Sequence, residues 1–141
     1  MRVNKFVLDT NIWLSYFITN RTEFLIGLVA NRNVVIYRYN ELLKELSRIL
    51  DYKHIKKYGL NKTATIRLLK LITINRDLEY PVKKYIPGDK DDDYIVALAL
   101  QTNSGFITSG DRHILSQKKS LESQFRKLKI ITEAEFESKF T

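Results

Sequence analysis

Short apolar runs alternate with segments of helical spacing along this chain. The apolar run at residues 6–8 precedes a helix-like stretch over 12–18, and the β-branched run at 34–37 precedes another over 40–50. Parallel strands need crossover connections, which are usually helices. The alternation therefore predicts an α/β fold of three layers, with helices on both faces of a mostly parallel central sheet of four to five strands.

Further elements follow the same alternation. Apolar spacing predicts additional helices over 22–30, 53–58, 62–73 and 91–103, and additional strands over 105–108 and 129–131. Asn40 is the expected N-cap of the third helix, and Thr132 with Glu135 has the spacing of a capping box for a closing helix. Residues 78–86 contain Pro81, which cannot donate to a sheet, so this segment is at best a short strand.

The composition suits one globular domain and excludes several kinds of site. Because domains usually have about 100 to 200 residues, the 141 residues of the chain are predicted to form a single domain, 1–141. With 44% hydrophobic and 28% charged residues, the chain resembles ordinary globular domains. It has no cysteine, which excludes disulfides, thiolate metal sites and cysteine nucleophiles. Any metal must be held by oxygen or imidazole.

The net charge favours a polyanionic partner. The chain carries 24 Lys and Arg against 16 Asp and Glu, a formal charge of +8. A positive field attracts nucleic acid, although a basic protein that is merely soluble would carry the same charge. The side chains that could contact a nucleic acid, or simply face solvent, are Lys53, Lys56, Lys57, Arg67, Lys70, Lys83 and Lys84.

The apolar runs are too short for membrane insertion. None approaches the ~20 residues of a membrane span, and the first stops at Asp9, too early for a signal peptide. The expectation is a cytoplasmic protein without membrane contact.

Two aspartates come directly after predicted strands. Asp9 follows the first strand, and Asp111 follows the strand over 105–108 by a few residues. Sites in parallel sheets form outside the carboxyl ends of the strands, so both carboxylates should lie at one edge of the sheet. Taken singly, each could instead only cap the segment that follows it.

Four aspartates precede or begin the helix over 91–103. They are Asp89, Asp91, Asp92 and Asp93. The positive end of a helix dipole tolerates negative charge, so capping alone explains one or two of them. At helical spacing Asp92 shares a face with Ile95 and Val96, so its carboxylate should lean toward the sheet. Asp92 is the predicted third ligand.

The helix over 40–50 carries two glutamates. A helical wheel puts Glu45 at the margin of the apolar arc and Glu41 well outside it. Glu45 is thus the better candidate to reach a cleft, with a solvated position at the helix margin as an equal alternative.

Carboxylates drawn together would each hold their protons more tightly unless a cation offsets their charge. Oxygen ligands select hard ions, so Mg²⁺ or Mn²⁺ is expected, with Asp9, Asp92 and Asp111 as metal ligands. Such an ion can generate a hydroxide-like nucleophile and orient a phosphodiester without a catalytic histidine or serine. The inventory of side chains therefore favours hydrolysis of phosphodiesters.

Four segments together resemble the PIN-domain family, and particularly its small, stand-alone VapC-like members, many of which are toxins of toxin–antitoxin pairs. They are Phe6-Val7-Leu8-Asp9-Thr10-Asn11, Glu41-Leu42-Leu43-Lys44-Glu45-Leu46, Asp89-Lys90-Asp91-Asp92-Asp93-Tyr94-Ile95-Val96-Ala97-Leu98-Ala99 and Ile107-Thr108-Ser109-Gly110-Asp111-Arg112-His113-Ile114-Leu115. Each is weak alone, but all four in order are strong. The resemblance implies an α/β/α nuclease domain that cleaves RNA with Mg²⁺ or Mn²⁺, an antitoxin partner and a homodimer.

The resemblance also implies roles for individual residues. The acidic catalytic positions correspond to Asp9, Glu45, Asp92 and Asp111, which coincide with the residues selected above. Supporting positions are Asn11, which steadies the first aspartate, Ser109, a polar group near the metal, and Asp89 and Asp93 beside Asp92. A shift of one residue among Asp89, Asp91, Asp92 and Asp93 would change the ligand.

Other functions fit less well. A phosphatase of the haloacid-dehalogenase type needs a second aspartate two residues after the first, and that position is Asn11. A phosphorylatable receiver domain would need paired acids after the first strand, which Leu8-Asp9-Thr10 lacks. Two alternatives stay open, a PIN-like module that binds RNA or a partner without cleaving, and a housekeeping RNA-processing nuclease. His113 is interpreted as a turn residue packed beside the site, and His54 as solvent-facing.

Overall fold

A computed structural model describes residues 2–88 and 90–141 of the chain. The strands are β1 (Asn4–Leu8), β2 (Val34–Arg38), β3 (Ile74–Asn75), β4 (Phe106–Thr108) and β5 (Lys129–Ile131). The helices are α1 (Thr10–Ile18), α2 (Thr22–Asn31), α3 (Asn40–Ile49), α4 (Lys53–Lys56), α5 (Lys62–Ile72), α6 (Lys90–Gln101), α7 (Arg112–Ser116), α8 (Lys118–Gln124) and α9 (Glu133–Ser138).

The strands form one parallel sheet in the order β3-β2-β1-β4-β5. This confirms the predicted α/β fold and its parallel sheet. β1 lies at the centre, where Phe6, Val7 and Leu8 are fully buried. Helices cover both faces, as a parallel sheet requires, because each connection crosses from the end of one strand to the start of the next.

Aromatic side chains fill one part of the core. Phe6 stacks on Phe106 of the neighbouring strand at 4.9 Å between ring centroids and meets Phe136 of α9 edge-on at 5.0 Å. Arg21, at the start of α2, links α2 to α9 through salt bridges with Glu133 and Glu137. The predicted capping box of Thr132 and Glu135 is present at the start of this helix, as expected.

Residues 78–86, expected to form at best a short strand, contain none, and the edge strand β3 is instead the pair Ile74–Asn75 beside the end of β2. Two residues show no alternation, so the sequence gives no pattern for them. Side-chain hydrogen bonds hold β3 beside β2: the Arg38 guanidinium of β2 donates to Thr73 Oγ1 at 2.9 Å and to Asn75 Oδ1 at 3.0 Å.

Smaller corrections concern helix ends. The N-cap residue of α3 is Tyr39 rather than Asn40, because Tyr39 has extended backbone (φ −120°, ψ 161°) and Asn40 is already the first helical residue. α4 ends at Lys56, two residues before the predicted end, and α8 was not predicted. Among the described residues, no helix is both long and apolar enough to cross a membrane.

Candidate functional site

The carboxyl ends of β1 and β4 bring two aspartates to one edge of the sheet. The two strands are parallel neighbours, with Leu8 paired to Thr108, and the Asp9 amide donates to the Thr108 carbonyl at 3.1 Å. Asp9 follows β1 immediately, and Asp111 follows β4 by three residues. The predicted meeting of strand ends is therefore present.

Asp9 is buried and held by hydrogen bonds at both oxygens. Only 4% of the residue is exposed, Oδ1 accepts from the Ile12 amide at 3.0 Å, and Oδ2 accepts from the Ser109 hydroxyl. Burial raises the pKa of Asp9, the nearby charge of Asp111 raises it further, and the hydrogen bonds only partly offset this. An ionised Asp9 is thus a buried negative charge that a cation would stabilise.

Ser109 connects the two aspartates. It is fully buried, and its Oγ accepts a hydrogen bond from the Asp111 amide at 3.0 Å while donating to Asp9. Asn11, by contrast, acts on Asp9 through its backbone N–H, and its side chain is exposed.

Asp92, Asp111 and His113 offer ligand atoms that all lie within 4.8 Å of one another. Asp92 is 4% exposed in the first turn of α6, where Ile95 and Val96 are also buried, in agreement with the helical face inferred from sequence. The two carboxylates suit a hard divalent cation such as Mg²⁺ or Mn²⁺, whereas imidazole is a more typical ligand of Zn²⁺. The donor set therefore fits a metal ion.

The structure changes the interpretation of His113. His113 belongs to the short helix α7 rather than to a non-helical turn. Asp111 is the N-cap of this helix, and its Oδ1 accepts a hydrogen bond from the His113 amide at 2.7 Å. Its imidazole is 68% exposed, with Nδ1 3.5 Å from Oδ1 of Asp111. Capping and site formation are thus compatible: Asp9 and Asp111 each cap a helix while lying at the site.

Asp93 accepts hydrogen bonds from the backbone and is not grouped with Asp92, Asp111 and His113 among the described residues. Its Oδ1 accepts from the backbone amides of Tyr85 at 2.7 Å and Ile86 at 2.8 Å. It thereby holds the irregular segment before α6, in which those amides have no sheet partner. The prediction for Asp89 lies outside the described residues.

Among the described residues, Glu45 is not one of the three that form this cation group. It is half-buried on α3, near the fully buried Tyr39. Burial raises the pKa of the Tyr39 phenol, and the charges of Glu45, Asp91 and Glu41 raise it further. Acidic side chains from both α3 and α6 therefore influence the same buried phenol.

One comparison decides the family. A family model described as the PIN domain matches residues 5–113, well over half of the chain. The chain belongs to the PIN-domain family.

Solved structures share the fold of this PIN domain. VapBC2 from Rickettsia felis, bound to a DNA fragment from its promoter, aligns with a TM-score of 0.56 and 16% identity over 91% of this chain and 98% of that chain. The PIN domain endonuclease Utp24 gives 0.52 and 15% over 91% and 84%. VapC20 of Mycobacterium tuberculosis, a toxin that cleaves the sarcin-ricin loop, gives 0.52 and 12% over 79% and 93%. At these identities the likeness establishes the fold. No curated protein sequence matches the chain.

A basic groove lies on the PIN domain between α3 and α5. It has a volume of about 470 Å³ and is lined by Lys62, Arg67 and Lys70 together with Ser47. Arg67 and Lys70 are among the predicted nucleic-acid contacts, and Lys53, Lys56 and Lys57 are exposed at α4 and just after it.

Proposed function

We propose that this PIN domain is a metal-dependent endoribonuclease that hydrolyses RNA phosphodiesters. The observation that carries the proposal is the convergence of Asp92 and Asp111 within reach of one cation, next to the buried Asp9. Asp9 is linked to Asp111 through Ser109 but is not one of the three described residues whose ligand atoms lie close together. Asp92 lies in α6 and Asp111 is the N-cap of α7, and capping alone does not require their carboxylates to meet. Like charges at such a distance are unfavourable without a cation between them.

A divalent ion, Mg²⁺ or Mn²⁺, is the proposed cofactor, with Asp9, Asp92 and Asp111 as its ligands. When bound, it would supply an activated water and offset the charge that develops on the phosphate. Side chains of the protein position the carboxylates that would bind it. Asp92 and Asp111 direct carboxylate oxygens to the same point, and Ser109 orients Asp9 through its hydroxyl.

Glu45 is proposed as the fourth catalytic acid. It lies on α3, and its charge, like that of Asp91 on α6, raises the pKa of Tyr39. In this role it would hold a water or a substrate hydroxyl. The imidazole of His113 is exposed and stays at the rim.

The positive charge of the chain suits an RNA substrate. With a formal charge of +8, the surface outside the acidic group attracts a phosphate backbone, and the groove with Arg67 and Lys70 is the proposed track. Lys53, Lys56 and Lys57 would extend it. Phosphate contacts of this kind position RNA without reading its sequence.

A toxin of a type II toxin–antitoxin pair is the proposed biological role. Two of the structures that share this fold are VapBC2 and the toxin VapC20. A cognate antitoxin protein, a homodimer and a cytoplasmic location are proposed on the same basis. Utp24, a PIN domain endonuclease, shares the fold equally well, so a housekeeping RNA-processing role is the second candidate. A module that binds RNA or a partner without cleavage is the third.

The test is RNA cleavage by the wild-type chain and the Asp9→Asn variant with Mg²⁺ or Mn²⁺. Asn keeps an acceptor for the Ile12 amide, so the fold should persist while cleavage is lost. Asp77→Asn, at an exposed aspartate away from the cation group, is the matched control and should cleave like the wild type. Cleavage retained by Asp9→Asn would overturn the proposal, and calorimetry that detects no divalent ion would favour the binding-only module.

A further inference from the structure

Three tyrosines form a ladder from the core to solvent beside the acidic residues. The ring of Tyr39, 1% exposed, meets Tyr94 edge-on at 5.9 Å between centroids, and Tyr94 meets Tyr80 in the same way at 6.2 Å. Tyr80 is the outermost of the three and is 59% exposed. Its ring is therefore supported from below by Tyr94 and open to solvent.

The ladder connects the two helices that carry Glu45 and Asp92. Tyr94 belongs to α6, two residues after Asp92, and the Tyr80 phenol donates to Oε1 of Glu41 in the first turn of α3 at 3.2 Å. Tyr80 thus contacts both helices, α3 through Glu41 and α6 through Tyr94.

Tyr80 and Tyr94 also line a small groove of about 240 Å³, together with Lys90 and Asp93. This volume is below the range of about 300 to 1,000 Å³ for pockets that take a whole drug-sized ligand, so it suits a single ring. The Asp93 carboxylate lies at its wall, but Oδ1 already accepts two backbone amides.

Positive charge accompanies the aromatic surface. Lys90 Nζ lies 5.9 Å from the centroid of the Tyr94 ring, and Lys83 lines an adjoining groove of about 380 Å³ that shares Tyr80. Proteins that bind single-stranded nucleic acids often combine aromatic side chains, on which bases stack, with lysines that contact the phosphates.

We propose that Tyr80 and Tyr94 form a stacking subsite for one unpaired base of an RNA substrate, with Lys90 against an adjacent phosphate. This rests on the proposed function. A base within a duplex presents no free face, so the subsite selects single-stranded or looped RNA. A protein partner that inserts an aromatic side chain here is the competing occupant.

The experiment measures dissociation constants for a labelled uridine decamer and for a ribose-phosphate strand of the same length without bases. Both are measured in EDTA, so that binding is read without cleavage. Tyr80→Ala should weaken binding of the uridine strand roughly 5- to 100-fold and that of the baseless strand less than about twofold. Tyr80→Phe keeps the ring and should bind like the wild type. Lys90→Gln should weaken both strands alike.

Val3→Ala is the control, since Val3 is 48% exposed and precedes β1, at the opposite end of that strand from Asp9. It should leave the ratio of the two dissociation constants unchanged. A second measurement uses only the wild-type chain: 2-aminopurine in the RNA should lose fluorescence on binding if a base stacks. This readout holds even if Tyr80→Ala folds poorly.

Equal losses on both strands, unchanged binding, or a Tyr80→Phe variant as weak as Tyr80→Ala would each overturn the subsite and favour a protein contact or a structural role. Asp9-dependent cleavage without any base dependence overturns the subsite and leaves the nuclease standing. Base-dependent binding without Asp9-dependent cleavage supports the subsite and overturns the nuclease.

Discussion

The Ser109 hydroxyl donates a hydrogen bond to Oδ2 of Asp9, a residue 100 positions earlier in the chain. The same oxygen of Ser109 accepts from the Asp111 amide at 3.0 Å. A single buried hydroxyl therefore sets the relative positions of two acids that follow neighbouring strands.

Ser109→Ala should weaken metal binding without unfolding the protein. Loss of a hydrogen bond that orients a ligand typically lowers metal affinity about 10- to 100-fold. Titration calorimetry with Mn²⁺ measures this, and Ser123→Ala, at an exposed serine, is the control. An unchanged affinity in Ser109→Ala would show that Asp9 needs no such orientation.

Asp111 and His113 should contribute unequally to the cation site. Asp111 is a half-buried carboxylate, whereas the His113 imidazole is 68% exposed, and Mg²⁺ prefers oxygen ligands. Asp111→Asn should lower Mg²⁺ affinity at least about 10-fold, while His113→Ala should change it less than about threefold. Equal losses in the two variants would instead make the imidazole a ligand.

Asp93→Ala should destabilise the fold. It leaves the amides of Tyr85 and Ile86 without their acceptor, which should lower the free energy of unfolding by roughly 2–4 kcal/mol in urea titrations. Asp93→Asn retains an acceptor oxygen and should lose less, and Asp77→Ala is the control at an exposed aspartate. If Asp93→Ala were as stable as the control, the segment before α6 would not depend on this carboxylate.

Glu122 should stabilise the protein in a pH-dependent way. Burial opposes ionisation, but the Ile130 amide and Lys118 outweigh it and lower the pKa of Glu122 below its usual value of 4.5. Because the folded pKa is the lower one, the contribution is present above 4.5 and is lost as pH falls through the folded pKa.

Glu122→Gln should therefore lower the free energy of unfolding by about 1 kcal/mol at neutral pH, since its side chain is 20% exposed and partly screened. In acid the wild type and the variant should converge. Urea titrations at both pH values measure this, with Glu23→Gln on the exposed surface of α2 as control. A difference that is the same at both pH values would contradict the ionic origin.

Local patterns predicted most of the fold. Apolar runs and helical spacing depend on which face of each element is buried, so β1, β2, α6 and the alternation around them could be inferred residue by residue. β3 could not, since two residues carry no periodic pattern, and its position beside β2 depends on contacts between distant residues, such as the hydrogen bonds from Arg38 to Thr73 and Asn75.

The sequence by itself determined the acids that follow strand ends and the face of α6 that carries Asp92. Both follow from short-range periodicity and from the rule that parallel strands end at one edge. The tertiary structure decided which side chains meet. In the folded chain His113 lies near Asp92 and Asp111, Asp93 accepts hydrogen bonds from two backbone amides, and the Tyr80 ring contacts that of Tyr94. These contacts depend on helix docking and on loop paths, which arise from packing between distant segments and leave no periodic pattern in the chain.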